Sequence, residues 1–447
     1  MARALIVPRL LLVTMIVSIQ TIHRGCIGGG MPTRSKKLGR FLSTRTSRQV
    51  PGSTGPGDAA ETFVDMVKGA GYEAEEHNVT TEDGYVLSLH RIPGGPTSPV
   101  LPGKPAVILI HGLFGASDLW VLRGPGKDLA YLLADEQYDV WALNTRGNYY
   151  SRRHNNLSVN EPDFWRFSWH EFGAFDTAAV IDYVLFETGL KKVSLVGHSM
   201  GSTMEFVLLS TRPEYNERVN VVVSFAPVAI FTHLLPGLVN AIGMYYAKEI
   251  QDILGLLNVH EILPRNSVNV AYVRSVCDRP RTLRICKRLS CILFGLTNCE
   301  EFDASLIPHL LNHYPQGTSI QTLLHYRQII LAGKFKQYDF GPEMNYIRYK
   351  NEIPPEYPLE KVKAPVVLFY GQNDAFTTEK DVRAMQSKLP NASPRRVQVS
   401  SFGHLDFVFS KDSKLVLYNE VLEVLSEFDE ERNGTRPRLK DPFKVST

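Results

Sequence analysis

Short, continuously apolar runs recur along this chain and alternate with segments of helical pattern. Five such runs, rich in β-branched residues, lie at residues 106–110, 139–143, 193–196, 219–225 and 365–370. Strands buried on both faces of a parallel sheet have this character, because neither face carries an alternating polar stripe. Helix-like stretches, such as residues 176–187, lie between them. The alternation predicts an α/β architecture with a mostly parallel central sheet flanked by helices.

A hairpin precedes this alternation and an insertion interrupts it. Residues 79–93 contain β-forming residues around a Glu-Asp-Gly turn, which predicts an N-terminal β-hairpin. Residues 231–354 have a helical pattern and no clear strand, so we expect a mainly helical cap or lid there. The expected organisation is a signal peptide (1–25), a flexible leader or propeptide (26–58), a first core part (59–230), the cap (231–354), a second core part (355–430) and a disordered tail (431–447).

The N-terminus has the pattern of an export signal. A basic start is followed by an apolar core of about nine residues, which suits a secretory signal peptide and is too short to span a membrane. We therefore expect secretion, with the lysosomal lumen as the alternative. Four glycosylation sequons are consistent with that route: Asn78, Asn156, Asn391 and Asn433.

Cysteine usage agrees with an oxidising compartment. Cys26 lies in or near the leader, and the other four cysteines crowd into 23 residues of the predicted cap: Cys277, Cys286, Cys291 and Cys299. An even number in one segment indicates local disulfides, with three possible connectivities. A zinc site is disfavoured because the segment has no Cys-x-x-Cys spacing.

Composition excludes one class of partner. The chain has 447 residues, 44% hydrophobic and 21% charged, with a net charge of +3. That length allows one large domain with an insertion, or two to three smaller domains. The charge is too mild for nucleic-acid binding, and no basic stripe interleaved with aromatics is present. No stable protein partner is implied.

One serine stands where strand, turn and helix patterns meet. Ser199 is the centre of Gly197-His198-Ser199-Met200-Gly201, which follows an apolar run and precedes a helical pattern. This arrangement predicts a nucleophile elbow, in which flanking glycines let strand and helix approach and leave the hydroxyl exposed. With 33 glycines in the chain the string alone is weak, so its context carries the prediction.

An acid and a base follow this serine in the order that an acyl-transfer triad in such a fold requires. Asp374 follows the apolar run 365–370, at the carboxyl end of a predicted strand. His404 follows the strand-like residues 396–400. Asp406 lies too close to His404 to be the acid, and Asp176 precedes the serine and suits a helix N-cap.

Two backbone N–H groups are candidates for an oxyanion hole. Met200 begins the helix after the nucleophile, where amide donors and the helix dipole favour negative charge. Leu113 lies in the loop His111-Gly112-Leu113 after the first predicted parallel strand, and that loop supplies the second donor.

Several segments together make the chain resemble the metazoan acid lipases, the family of gastric lipase, lysosomal acid lipase and many insect relatives. The matching segments are residues 71–87, 111–115, 144–154, 164–172, 197–201, 315–319 and 333–339. The resemblance implies an α/β-hydrolase fold with a cap, the triad Ser199, Asp374 and His404, and oxyanion donors at Leu113 and Met200. It also implies a cap disulfide between Cys277 and Cys286, whereas Cys291 and Cys299 are not clearly family cysteines.

The expected function is hydrolysis of carboxylic esters of lipids, such as triacylglycerols or sterol esters, at an oil–water or membrane interface. We expect no cofactor and no metal, because no dinucleotide or phosphate-binding glycine pattern is present. Two other functions stay open: a non-catalytic lipid-binding or adhesion protein of the same fold, and an esterase acting on small esters.

Overall fold

The computed structural model describes residues 61–233, 259–265, 277, 282–284, 286 and 306–432. All of them belong to one compact unit, Glu61–Asn266 with Val270–Thr447. The predicted signal peptide (1–25) and leader (26–58) lie outside the described residues. So do residues 234–258 of the predicted cap and the predicted tail beyond Arg432, where the last described helix ends.

A mixed sheet of nine described strands is the centre of the fold. Its strands are β1 (Glu75–Thr80), β2 (Tyr85–Ile92), β3 (Ala106–Ile110), β4 (Asp139–Leu143), β5 (Arg153–His154), β6 (Val193–His198), β7 (Val219–Phe225), β10 (Val366–Tyr370) and β11 (Ala392–Arg396). Two further strands, β8 (Glu261–Ile262) and β9 (Thr318–Ser319), pair with each other in a separate two-stranded sheet. The spatial order is β1-β2-β4-β3-β6-β7-β10-β11, with β5 beside β2. From β4 to β11 all neighbours are parallel, and β1 and β2 form the predicted antiparallel hairpin.

Helices cover both faces of this sheet. The described helices are α1 (Phe63–Gly69), α2 (Leu129–Asp135), α3 (Trp169–Glu171), α4 (Ala178–Thr188), α5 (Met200–Thr211), α6 (Ile307–His313), α7 (Ile320–Ala332), α8 (Pro342–Tyr349), α9 (Glu379–Gln386), α10 (Asp406–Phe409) and α11 (Asn419–Arg432). Two apolar clusters form the core, and successive residues of one strand divide between them: Val107 and Leu109 in one, Ile108 and Ile110 in the other. This division places one layer of packed side chains on each sheet face.

The predicted α/β architecture, a mostly parallel central sheet flanked by helices, is confirmed, including the five predicted parallel strands. One prediction was wrong by four residues: the strand expected at 396–400 is β11 at Ala392–Arg396. Its residues carry no strong β pattern, and its position is determined by parallel pairing with β10. Pro394 is tolerated there because β11 is an edge strand, where a missing N–H costs no ladder bond.

The described part of the predicted cap contains α6, α7 and α8 and the two-residue strands β8 and β9. Such short strands leave no periodic signal in a sequence. Cys277 and Cys286 form a disulfide with their Cα atoms 5.9 Å apart. Cys291 and Cys299 lie outside the described residues. Among the described helices, none combines the length and apolarity needed to cross a bilayer.

Candidate active site

Ser199 lies in a sharp turn between β6 and α5. Its backbone has φ +55° and ψ −113°, a conformation that costs a non-glycine residue energy and that the surroundings must hold. Its N–H donates to the carbonyl of Phe225, 2.9 Å away, on the neighbouring strand β7. A Cβ added to Gly201 would lie 2.3 Å from the carbonyl oxygen of Ile110, so only glycine fits there. This close approach of strand and helix is the elbow that the motif predicts.

Asp374 lies in the loop after β10 and its side chain is almost fully buried. Its Oδ1 accepts hydrogen bonds from the N–H groups of Phe376 at 2.8 Å and Thr377 at 3.0 Å. These bonds orient the carboxylate and leave Oδ2 directed at His404. The loop is closed against the next one, because a Cβ on Gly371 would lie 2.2 Å from the carbonyl oxygen of Phe402.

His404 joins the serine and the carboxylate. Its Nδ1 lies 2.9 Å from Oδ2 of Asp374, and its Nε2 lies 2.7 Å from Oγ of Ser199. Since the carboxylate only accepts, Nδ1 carries the proton and Nε2 is free to accept the serine hydroxyl proton. The structure therefore brings together the three predicted residues, although 205 positions separate Ser199 from His404.

The two rival acids have other roles. Asp406 accepts a hydrogen bond from the N–H of Gly403, with Oδ2 2.7 Å from the nitrogen. The expectation that Asp176 caps a helix was wrong, because it lies inside the helical segment Phe172–Thr177. Its carboxylate is fully buried against the guanidinium of Arg146, with 2.6 Å between the charged atoms. Burial raises the pKa of Asp176 to about 6.

The predicted oxyanion donors lie on the two segments beside Ser199. Met200 is the first residue of α5, so its N–H has no partner one turn earlier in the helix. A Cβ added to Gly112 would lie 3.3 Å from Cβ of Ser199, which places the loop of residues 111–117, hereafter the oxyanion loop, against the nucleophile. The Gly112–Leu113 peptide, which carries the N–H of Leu113, therefore begins beside Ser199.

His111 fixes that peptide. Its Nδ1 lies 2.8 Å from the carbonyl oxygen of Gly112, which also accepts from the N–H of Gly115 at 3.0 Å. Its Nε2 accepts from the N–H of Thr145 at 3.3 Å. Burial lowers the pKa of His111 to about 4, so at neutral pH the ring is uncharged, with one donor and one acceptor. Because C=O and N–H of a trans peptide point in opposite directions, holding the Gly112 carbonyl also orients the Leu113 N–H.

Sequence reasoning missed a buried acid behind the elbow. Glu205 lies in the interior of α5 and is fully buried, with Oε2 accepting from Oγ of Ser224 at 2.7 Å. A Cβ added to Gly197 would lie 2.5 Å from Glu205 Oε1, so this carboxyl group fills the space beside the elbow glycine. Burial raises the pKa of Glu205 well above its usual value. The available signal was a single acidic residue inside an apolar helix.

The remaining predicted sites can be placed as follows. Asn78, Asn156 and Asn391 are exposed, and Asn433 lies outside the described residues. Their glycosylation remains a prediction. Within the described ranges, no group of three or more His, Cys, Asp or Glu side chains is arranged to hold a metal ion.

Comparison with known proteins agrees with this geometry. A family model described as the alpha/beta hydrolase fold matches residues 105–411, and one described as a partial alpha/beta-hydrolase lipase region matches residues 63–124. Lipase 1 of Drosophila melanogaster is 37% identical, over 83% of this chain and 82% of that protein. Lipase 3 of the same organism is 35% identical, over 82% and 93%. Human gastric triacylglycerol lipase is 33% identical, over 81% and 90%.

Proposed function

The chain belongs to the lipase family of α/β hydrolases, and we propose that Ser199, His404 and Asp374 are the catalytic triad with which it cleaves its ester substrates. As a member of that family it is a carboxylic ester hydrolase acting on lipid esters. The observation that carries the assignment of the triad is the continuous hydrogen-bonded chain from the serine hydroxyl through the imidazole to the buried carboxylate.

Each residue of the triad has a defined role in the first half-reaction, the formation of the acyl-enzyme. Oγ of Ser199 attacks the ester carbonyl carbon while Nε2 of His404 takes the hydroxyl proton. The N–H groups of Leu113 and Met200 stabilise the negative oxygen of the tetrahedral intermediate. His404 then returns the proton to the leaving alcohol, which gives an acyl-serine. Asp374 holds the imidazole in the required tautomer and stabilises its positive charge.

The second half-reaction uses the same groups. Nε2 of His404 takes a proton from water, and the resulting hydroxide attacks the acyl carbonyl carbon. The intermediate collapses with return of the proton to Oγ of Ser199, and the fatty acid leaves.

The substrate is proposed to be a triacylglycerol or a sterol ester presented at an oil–water or membrane surface. The relatives named as triacylglycerol lipases support the first class. We further propose that the protein is secreted, with the lysosomal lumen as the alternative, because of the basic and apolar N-terminal pattern and the exposed sequons.

Substitution of the nucleophile tests the triad. Ser199→Ala is expected to lower turnover of a soluble butyrate ester by about 10⁴-fold or more, with an unchanged melting temperature. Ser210→Ala is the matched control, because its hydroxyl bonds only within the same helix, to the carbonyls of Phe206 and Val207. Wild-type protein that neither turns over esters nor reacts with a fluorophosphonate probe would instead be a non-catalytic lipid-binding protein.

The lipid preference needs a separate measurement. Turnover of tributyrin is followed as its concentration passes the solubility limit and emulsion droplets form. A steep rise at that point is expected for an enzyme that works at a lipid surface. A hyperbolic curve that saturates below the limit would identify an esterase for small esters.

A further inference from the structure

Two hydrogen bonds from a distant segment hold the oxyanion loop. The hydroxyl of Tyr314 donates to the carbonyl of Leu113 at 3.1 Å, and the main-chain N–H of Gln316 donates to the carbonyl of Phe114 at 2.8 Å. Both donors lie between α6 and β9, in the predicted cap. Burial raises the pKa of Tyr314, so its hydroxyl stays protonated and remains a donor.

The loop needs such support because one of its residues is strained. Phe114 has φ +59°, in the left-handed region that costs a residue with a side chain roughly 1–2 kcal/mol. The bonds within the loop, from His111 and Gly115, reach only the carbonyl of Gly112. The next two carbonyls, on either side of the strained φ, are the ones held by Tyr314 and Gln316.

A buried carboxylate keeps the supporting segment in place. Asp118 follows the oxyanion loop directly and is fully buried. It accepts hydrogen bonds from Nδ1 of His313 at 2.8 Å and Nε2 of Gln316 at 3.1 Å. Asp118 also accepts hydrogen bonds from the hydroxyl of Tyr150 at 2.7 Å and from Nη1 of Arg265 at 3.3 Å, so its charge is paired. The donors on both sides of Tyr314 are thereby fixed to the core.

We propose that Tyr314 is a positioning residue for ester hydrolysis: with the Gln316 main chain it holds Leu113 and Phe114 so that the Leu113 N–H meets the developing oxyanion. The proposal rests on the proposed function, since it assigns a task within the same reaction. Tyr314 acts on the transition state through the loop and takes no part in proton transfer. The cap thereby contributes to catalysis itself, beyond any role in admitting substrate.

Tyr314→Phe removes only the hydroxyl and tests the proposal. On a soluble short-chain ester, kcat per titrated active site is expected to fall about tenfold, below the 10²–10³-fold of losing an oxyanion donor outright. KM is expected to change by no more than about twofold, because the oxyanion donors bind the negative oxygen of the transition state more strongly than the carbonyl oxygen of the bound substrate. The inhibition constant of an alkyl boronic acid, which mimics the tetrahedral intermediate, is expected to rise by the same factor as kcat falls.

Tyr215→Phe is the matched control. In the wild type, the hydroxyl of Tyr215 also makes one hydrogen bond, to Asp182 at 2.8 Å, and neither residue belongs to the oxyanion loop or to the segment that supports it. Its kcat and boronate affinity are expected to match the wild type. If Tyr314→Phe lowers the melting temperature but leaves both quantities unchanged, Tyr314 is merely structural and the proposal is wrong.

A double substitution tests the strain argument directly. Glycine adopts φ near +59° without cost, so Phe114→Gly in the Tyr314→Phe background is expected to recover at least threefold in kcat over Phe114→Ala in that background. Equal kcat in the two double variants would overturn the proposal. Failure of the triad assignment is distinguishable, because it would appear as activity in Ser199→Ala, whatever Tyr314→Phe does.

Discussion

The imidazole of His198 donates from Nε2 to the main-chain carbonyl of His404, with 2.9 Å between the two atoms. The residue before the nucleophile therefore holds the main chain of the proposed base. Burial lowers the pKa of His198 to about 3, so the ring is neutral at the pH of any ordinary assay and has one N–H to give. Its other nitrogen, Nδ1, is buried without a partner among the described residues.

Loss of this bond is expected to slow turnover without unfolding the protein. His198→Leu keeps the approximate volume and removes the donor, so the His404 loop loses one anchor and kcat is expected to fall roughly fivefold to tenfold, the equivalent of about one hydrogen bond. His198→Gln can place an amide N–H near the same carbonyl and is expected to stay within about threefold of wild type. Equal losses in both variants, measured on a soluble ester, would contradict the positioning role.

Asp374→Asn is expected to lower kcat by about 10⁴-fold, because an amide no longer selects the tautomer with the proton on Nδ1. The Asn oxygen can still accept the two N–H groups of Phe376 and Thr377, so the loop and the melting temperature are expected to persist. Asp406→Asn is the matched control and is expected to retain most activity. If Asp406→Asn were the more damaging change, the acid would have been assigned to the wrong residue.

Glu205 is expected to make the protein more stable in mild acid than at neutral pH. Its folded-state pKa lies well above the usual 4.5, so above about pH 4.5 the unfolded chain loses this proton while the folded protein keeps it. From that pH up to the folded-state pKa, the free energy of unfolding falls by about 1.4 kcal/mol per pH unit. Glu205→Gln removes this contribution, so its advantage in melting temperature over wild type is expected to grow from pH 4.5 to pH 7.

No other charge explains such a trend at that site. Within the part of the chain that the structure describes, the groups shown against the Glu205 carboxyl group are Gly197 on β6 and the Ser224 hydroxyl on β7, and neither carries a charge. Other ionisable groups titrate alike in both proteins and cancel in the difference. A difference in melting temperature that does not change with pH would show that Glu205 ionises normally.

Arg146→Met is expected to destabilise the fold by about 3–5 kcal/mol, because it leaves the buried carboxylate of Asp176 without its counter-charge. Chemical denaturation at pH 7 measures the loss. Arg166→Met is the matched control, since its pair with Asp163 is largely exposed and is worth at most about 1 kcal/mol. Comparable losses in the two variants would show that burial does not decide the strength of these pairs.

Local chemistry explains which parts of this molecule could be predicted from sequence. The elbow at Ser199 depends on glycines two residues away, and buried parallel strands have continuous apolar runs. A short stretch of the sequence is therefore enough to predict either feature. Strand β11 was misplaced because an edge strand with Pro394 takes its position from pairing with β10, which no local pattern reveals. Asp176 was misassigned for a similar reason, since its partner Arg146 lies 30 residues away.

The residues that support the site are harder to predict from the sequence than the catalytic residues themselves. Tyr314 meets Leu113 across 201 positions, and His198 meets His404 across 206. Each is a single polar contact of a common residue type, with no motif of its own. Family resemblance marks residues 315–319 as characteristic, but only the folded chain shows that they lie against the oxyanion loop.

The order of the triad along the chain has a consequence for biosynthesis. Ser199 precedes His404 by 205 residues, and β6, which leads into the elbow, pairs with β3 and β7, both of which also precede His404 in the chain. A chain that ends before His404 therefore contains the serine without the base that activates it. Ester cleavage by this triad is therefore expected only after the loop that follows β11 has been made and folded against the elbow.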